Sequence, residues 1–203
     1  MSIDALTPLR GRPREFDADE ALTAALKVFW RLGYDGTSLT DLTDAMGISR
    51  PSLYAAYGNK EALYRKALDL YEREKLAYVR TALQAPTARG VAETLLKGAL
   101  DLLTGVGDPK GCFGVISTLA CGEEAQSIRA DVIAKRAAAN AALILRFQAA
   151  KAAGDLPAQV DPDGLAKWLS AVIQGMSVQA GAGANRADLE QVIETSLQLW
   201  PTR

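Results

Sequence analysis

The run GISRPSLYAAYGNKEALY, Gly47 to Tyr64, gathers side chains suited to binding rather than to making or breaking bonds. Arg50 and Lys60 carry positive charge, Ser52 and Tyr54 carry hydroxyls, Ala55 and Ala56 offer only methyls, and Pro51 stands among them. Hydroxyls and cations of this kind meet base edges and phosphates, and alanine methyls meet the methyl of thymine. Catalysis has less to draw on. The chain contains no histidine, which removes Ser-His-Asp and Cys-His activation, most catalytic zinc sites and the Glu-x-x-His di-iron bundle. No catalytic residue, cofactor or metal is expected. The two cysteines, Cys112 and Cys121, can be plain small core residues, and two thiols without histidine are too few ligands for copper or zinc.

Helices must position the binding run. Asp17 and Glu20 form a capping-box-like start to a helix reaching Gly33, with Leu22, Ala25, Leu26, Phe29 and Trp30 as its apolar stripe. Ser38 caps a short helix whose inward residues are Leu39, Leu42 and Met46. Gly47 supplies a left-handed turn, and Ser49 caps a second short helix through Tyr57. At 100° per residue, Leu53 and Tyr57 point inward, while Pro51, Ser52 and Ala55 point outward, flanked by Tyr54 and Ala56. That outward face is small enough to lie on the floor of a DNA major groove, as the second helix of a helix-turn-helix does. Short helix pairs joined by glycine also occur in all-α proteins that never touch DNA, and spacing alone leaves both readings open.

The rest of the chain is helical too. Asn59 caps a stretch running to about Leu83, and five more follow at about 88–104, 112–121, 125–153, 162–181 and 186–199, separated by glycine- and proline-rich breakers. The expected fold is all-α: an N-terminal three-helix helix-turn-helix domain, residues 1–60, joined by a long helix to a helical ligand-binding and dimerisation domain, residues 61–203. The longest apolar run, AAANAALIL at 137–145, is half of what a membrane span needs, and the N-terminus lacks a signal-peptide core, so a cytoplasmic protein is expected. Charge does not advertise a nucleic-acid binder, since residues 1–60 carry seven Lys/Arg against eight Asp/Glu. Arg10, Arg12 and Arg14, around Gly11 and Pro13, read either as a basic arm for a minor groove or as a solvated tail.

The stretch GYDGTSLTDLTDAMGISRPSLYAAYGNKEALYRKALDLY closely resembles the DNA-binding domain of TetR-family transcriptional regulators. The Gly-Tyr-x-Gly-Thr-Ser opening, the Met-Gly-Ile-Ser turn, the Ser-Leu-Tyr of the second helix and the Gly-Asn-Lys-Glu-Ala-Leu start of the fourth helix all match in order, over roughly residues 15–75. The resemblance implies a homodimeric repressor on a double-stranded, pseudo-palindromic operator, with an unidentified small-molecule effector in its C-terminal half. It places Ser38, Thr40, Arg50, Ser52, Tyr54, Ala56 and Lys60 at positions that usually meet DNA, and Tyr57 in the core.

The resemblance also implies that the last two helices pair the subunits. Ser177, Ala180 and Gly181 allow close helix approach, and Leu189, Val192, Ile193, Ser196 and Leu197 form a stripe on the final helix; the alternative is that these helices cap a monomer core. A central cavity would be lined from Leu100, Leu103, Phe113, Ile116, Asn140, Leu143, Phe147, Trp168, Val172 and Met176, each of which can equally be plain core. This set carries little charge, so an uncharged or weakly polar ligand is expected. KGCFGV resembles a glycine-cysteine motif of family members that respond to electrophiles or oxidants, and a helix N-terminus there would favour a Cys112 thiolate, giving a possible redox sensor. Two other readings stay open: a constitutive DNA-binding protein without an effector, with no cavity, and a helical ligand-binding domain or enzyme with an incidental helix pair.

Overall fold

The computed structural model describes residues 16–119 and 125–201. Short polar side chains start most of its helices by satisfying N–H groups that have no partner within the helix. Asp17 accepts from the backbone N–H of Asp19 and Glu20 and opens α1, Ala18–Leu32. Ser38 opens α2, Leu39–Met46, in a reciprocal box: the Asp41 N–H donates to Ser38 Oγ, and the Ser38 N–H donates to the Asp41 carboxylate at 2.8 Å. Gly47 follows in the left-handed conformation, φ 66° and ψ 28°, at a position where a side chain would cost about 1–2 kcal/mol. Ser49 then caps α3, Arg50–Tyr57, whose first turn takes Pro51 without losing a hydrogen bond. Asn59 caps α4, Lys60–Lys75.

The stretch 59–83, expected as one helix, is two. Leu76 leaves helical geometry at φ −101° and ψ 14°, its N–H reaches back five residues to the Tyr71 carbonyl, and α5 runs Ala77–Leu83. This is a π-type turn, and neither glycine nor proline marks it. Its cause is packing: α4 lies along α1, whereas α5 lies along α6, Ala88–Thr104. The remaining helices are α7, Phe113–Leu119; α8, Gln126–Ala152; α9, Pro162–Gly181; and α10, Arg186–Gln198. Among the described residues there is no strand, and no helix is long and apolar enough to cross a membrane.

Two apolar cores organise these helices. The first joins α1 to α4 with Phe113 of α7 and with Ala125, Ile128 and Val132 at the start of α8. The second joins α5, α6, α9, α10 and the rest of α8. The expected boundary between residues 60 and 61 therefore falls inside the first core, because Leu63, Tyr64, Ala67 and Tyr71 of α4 are buried in it. Cys112 packs against both cores.

Candidate nucleic-acid interface and internal cavity

The α3 helix divides into two faces. Leu53 and Tyr57 are its buried residues, and the Tyr57 hydroxyl donates to the Ala18 carbonyl at 2.9 Å, which fixes α3 against the start of α1. The opposite face leaves Arg50, Pro51, Tyr54, Ala55 and Ala56 exposed, with Ser52 half-exposed. Tyr54 keeps 48% of its surface open, so no part of the fold claims its ring. Ser38 and Thr40 are exposed on α2, and Arg50 Nη2 donates to Thr40 Oγ1 at 2.8 Å, which holds the guanidinium between the two helices. Ser52 Oγ lies 2.9 Å from Ser49 Oγ. Lys60 Nζ sits 4.4 Å above the Tyr34 ring. Hydrogen bonds from Ser38 hold the Asp41 carboxyl below the usual carboxylate range, with the Lys60 charge contributing. Arg10, Arg12 and Arg14 lie outside the described residues. Sequence reasoning missed Tyr34, whose contact with Lys60 spans 26 positions.

The second feature is a cavity of about 1010 Å³ between α4, α5, α6, α7, α8 and α9. Only Asn140 and Leu143 of the ten expected lining residues reach it. Leu100, Leu103, Phe113, Phe147 and Met176 are buried in the cores, and Ile116, Trp168 and Val172 pack against them. The reason is α5, which the sequence hid. It stands in front of α6 and presents Tyr78, Val79 and Leu83 to the cavity instead. The Tyr78 ring lies across Gly98, where an added Cβ would come within 2.2 Å of the ring. The expectation of a nearly uncharged lining is also corrected, since Glu72, Lys135 and Arg136 all line the space.

Cys112 lies on this cavity, half-buried. The Tyr71 hydroxyl donates to its Sγ at 3.2 Å, and its own N–H donates to Ser177 Oγ at 2.7 Å. Burial, with the neighbouring Cys112 contributing, pushes the Tyr71 and Tyr78 hydroxyls well above the ordinary tyrosine value, so both stay protonated at neutral pH. The Tyr71 ring meets Trp30 edge-on at 4.9 Å and Phe113 at 5.6 Å. Phe113 meets Tyr64 at 5.1 Å, and Tyr64 meets Tyr34 at 5.3 Å. An unbroken set of ring contacts thus runs from the cavity wall to the ring beneath Lys60. Cys121 lies outside the described residues.

Along one side, α4 and α8 are fastened by side chains. Ser127 Oγ donates to Glu61 at 2.6 Å, Arg65 bridges Glu61 and Asp131 at 2.8 and 2.7 Å, and Lys135 holds Asp69 and Glu72 at 2.9 and 2.7 Å. A smaller void of about 240 Å³ lies among Arg65, Asp131 and Lys135.

The expected pairing face needs correction as well. Ser177, Ala180, Leu189, Ile193 and Ser196 are buried within the protomer, and Val192 and Leu197 pack partly against its second core. Gly181 is exposed. The apolar side chains that α9 and the end of α10 leave open are Val178, 54% exposed, and Leu199, 72% exposed. A helical stripe names the residues of one face without saying which neighbour covers it. Here the neighbours are α6 and α9 of the same chain.

A family model described as bacterial regulatory proteins, tetR family, matches residues 21–67. The HTH-type transcriptional repressor ComR of Escherichia coli K12 is 35% identical over 203 residues, covering 98% of this chain and 96% of that protein. Among solved structures, a cysteine mutant of the TetR family transcriptional regulator CifR, complexed with 26-base-pair double-strand operator DNA, is 40% identical with a TM-score of 0.88. That match covers 94% of this chain and all of the CifR chain. A TetR transcriptional regulator from Rhodococcus sp. RHA1 is 39% identical with a TM-score of 0.63, over 92% of this chain and all of that one.

Proposed function

The chain belongs to the TetR family of bacterial helix-turn-helix transcriptional regulators, and from that premise we propose that it is a cytoplasmic, homodimeric repressor released from its operator by an effector. The observation that carries this reading is the open face of α3. It offers methyls, a hydroxyl and a free tyrosine ring, with Arg50 pinned at its edge by Thr40 and no long side chain across its middle. Such a face fits a major groove, where Arg50 reaches a base or phosphate and Tyr54 and Lys60 reach phosphates. The similarity to CifR, whose complex holds operator DNA, supports the same assignment.

The subunits pair through the outer faces of α9 and α10, around Val178, Gly181 and Leu199, in an isologous contact that sets two copies of α3 in successive major grooves about 34–36 Å apart. An effector in the cavity touches Tyr71 and the Leu76 turn. Through α4 and the ring contacts to Phe113, Tyr64 and Tyr34 it changes the separation of the two α3 helices. It releases DNA because it favours a spacing that does not fit the operator. Modification of the Cys112 thiol would act at the same wall. The constitutive binder without an effector calls for a filled core, and a cavity of about 1010 Å³ favours the effector reading.

Hydroxyl-radical footprinting of the DNA upstream of the protein's own gene tests this. The expected pattern is two protected patches one helical turn apart, related by two-fold symmetry. Unprotected DNA at micromolar protein rejects the regulator, and a single asymmetric patch rejects the dimer.

A further inference from the structure

The cavity's polar groups differ in kind from the core around them. Arg136 lines it half-buried, and its guanidinium donates only to the Thr118 hydroxyl, at 3.3 Å. The other lining cations are accounted for: Lys135 by Asp69 and Glu72, Arg73 by Glu74, Lys167 by Asp163, while Arg80 is exposed to water. Among the described residues, Arg136 is thus the one half-buried lining cation without a carboxylate. Withdrawing a guanidinium from water is unfavourable unless an acceptor completes it, and its planar fork matches a carboxylate. Apolar surface from Leu83, Leu95, Leu143, Ile173 and the Tyr78 ring lines the same cavity.

We propose that this cavity takes an amphipathic organic anion, a carboxylate with an apolar body, whose charge docks on Arg136 beside Lys135. The inference rests on the effector reading above and names the ligand's chemical class. It also gives the charge a consequence. An anion next to Lys135 competes with Asp69 and Glu72, the two α4 carboxylates that fasten α4 to α8. Loss of those bonds loosens the helix that begins at Lys60. A neutral molecule of the same shape fills the space and leaves the fastening in place. The volume lies at the upper end of typical ligand pockets, about 300–1,000 Å³, and admits a ten-carbon chain or two fused rings.

The test is calorimetric titration of the full-length protein with decanoate against 1-decanol, and with 2-naphthoate against 2-naphthalenemethanol, repeated on Arg136→Gln and Arg136→Lys. At least one anion is expected to bind about tenfold or more tighter than its neutral counterpart. That margin disappears in Arg136→Gln and survives in part in Arg136→Lys, which keeps the charge without the fork. The proposal is overturned if neither anion outbinds its neutral counterpart, or if the full margin persists in Arg136→Gln. Fluorescence anisotropy of the same samples on the upstream DNA separates the two readings. Intact DNA binding without anion preference sinks this inference alone, whereas anion preference without DNA binding sinks the repressor and leaves the anion site standing.

Discussion

Tyr78 shows how one residue shapes the cavity. Its ring lies where a Cβ on Gly98 would stand, 2.2 Å from the nearest ring atom, so a glycine inside α6 is needed for the ring to seat. Helix propensity alone favours alanine there by about 1 kcal/mol. Overpacking against an aromatic ring costs about 1–3 kcal/mol. Gly98→Ala is therefore expected to lower the stability measured in urea, and adding Tyr78→Leu to reverse the loss. A single Gly98→Ala variant more stable than the parent contradicts the placement of that ring. Side-chain identity was a good guide where one chain segment settles the outcome. Leu53 and Tyr57 face inward at a spacing of four, and Asp17, Ser38, Ser49 and Asn59 cap helices as their types suggest. Long-range partners left no such signal: Arg50 with Thr40, Lys60 with Tyr34, and Tyr71 with Cys112 join residues whose neighbours do not announce the contact.

Among elements, α7 matters out of proportion to its seven residues. Phe113, at its start, is fully buried in the first core, although it follows α6 and belongs by sequence to the C-terminal half. Removing its ring leaves a void worth about 3–5 kcal/mol. Hydrogen exchange on Phe113→Ala is expected to accelerate at amides of α1 and α4 as well as α7, because all three close on the same core. Acceleration confined to α7 would show that the reading unit folds without it. Helix periodicity placed the elements close to their observed bounds. It missed the turn at Leu76, since REKLAYV is uniformly good helix sequence and the turn answers to two different neighbours, α1 and α6. That one omission misplaced the cavity wall, because α5 replaces α6 as its lining.

At the scale of the molecule, the two cores meet at Cys112 and share α8, so the reading unit and the cavity are parts of one packed structure. The fold class and the surface that meets DNA were legible because short-range motifs define both. The cavity and the pairing face depend on which helix covers which, and a stripe of leucines cannot tell a partner's helix from its own. The central claim is that the open face of α3 and the start of α4 bind DNA. The most direct test is the salt dependence of binding to the upstream DNA, by fluorescence anisotropy, for the parent and for Tyr54→Phe combined with Lys60→Gln. Neutralising one phosphate contact lowers the slope of log K against log salt by about 0.9. The account predicts weaker binding to every sequence tried, with a slope reduced by about that amount. Equal affinity and an equal slope in the two proteins would contradict it.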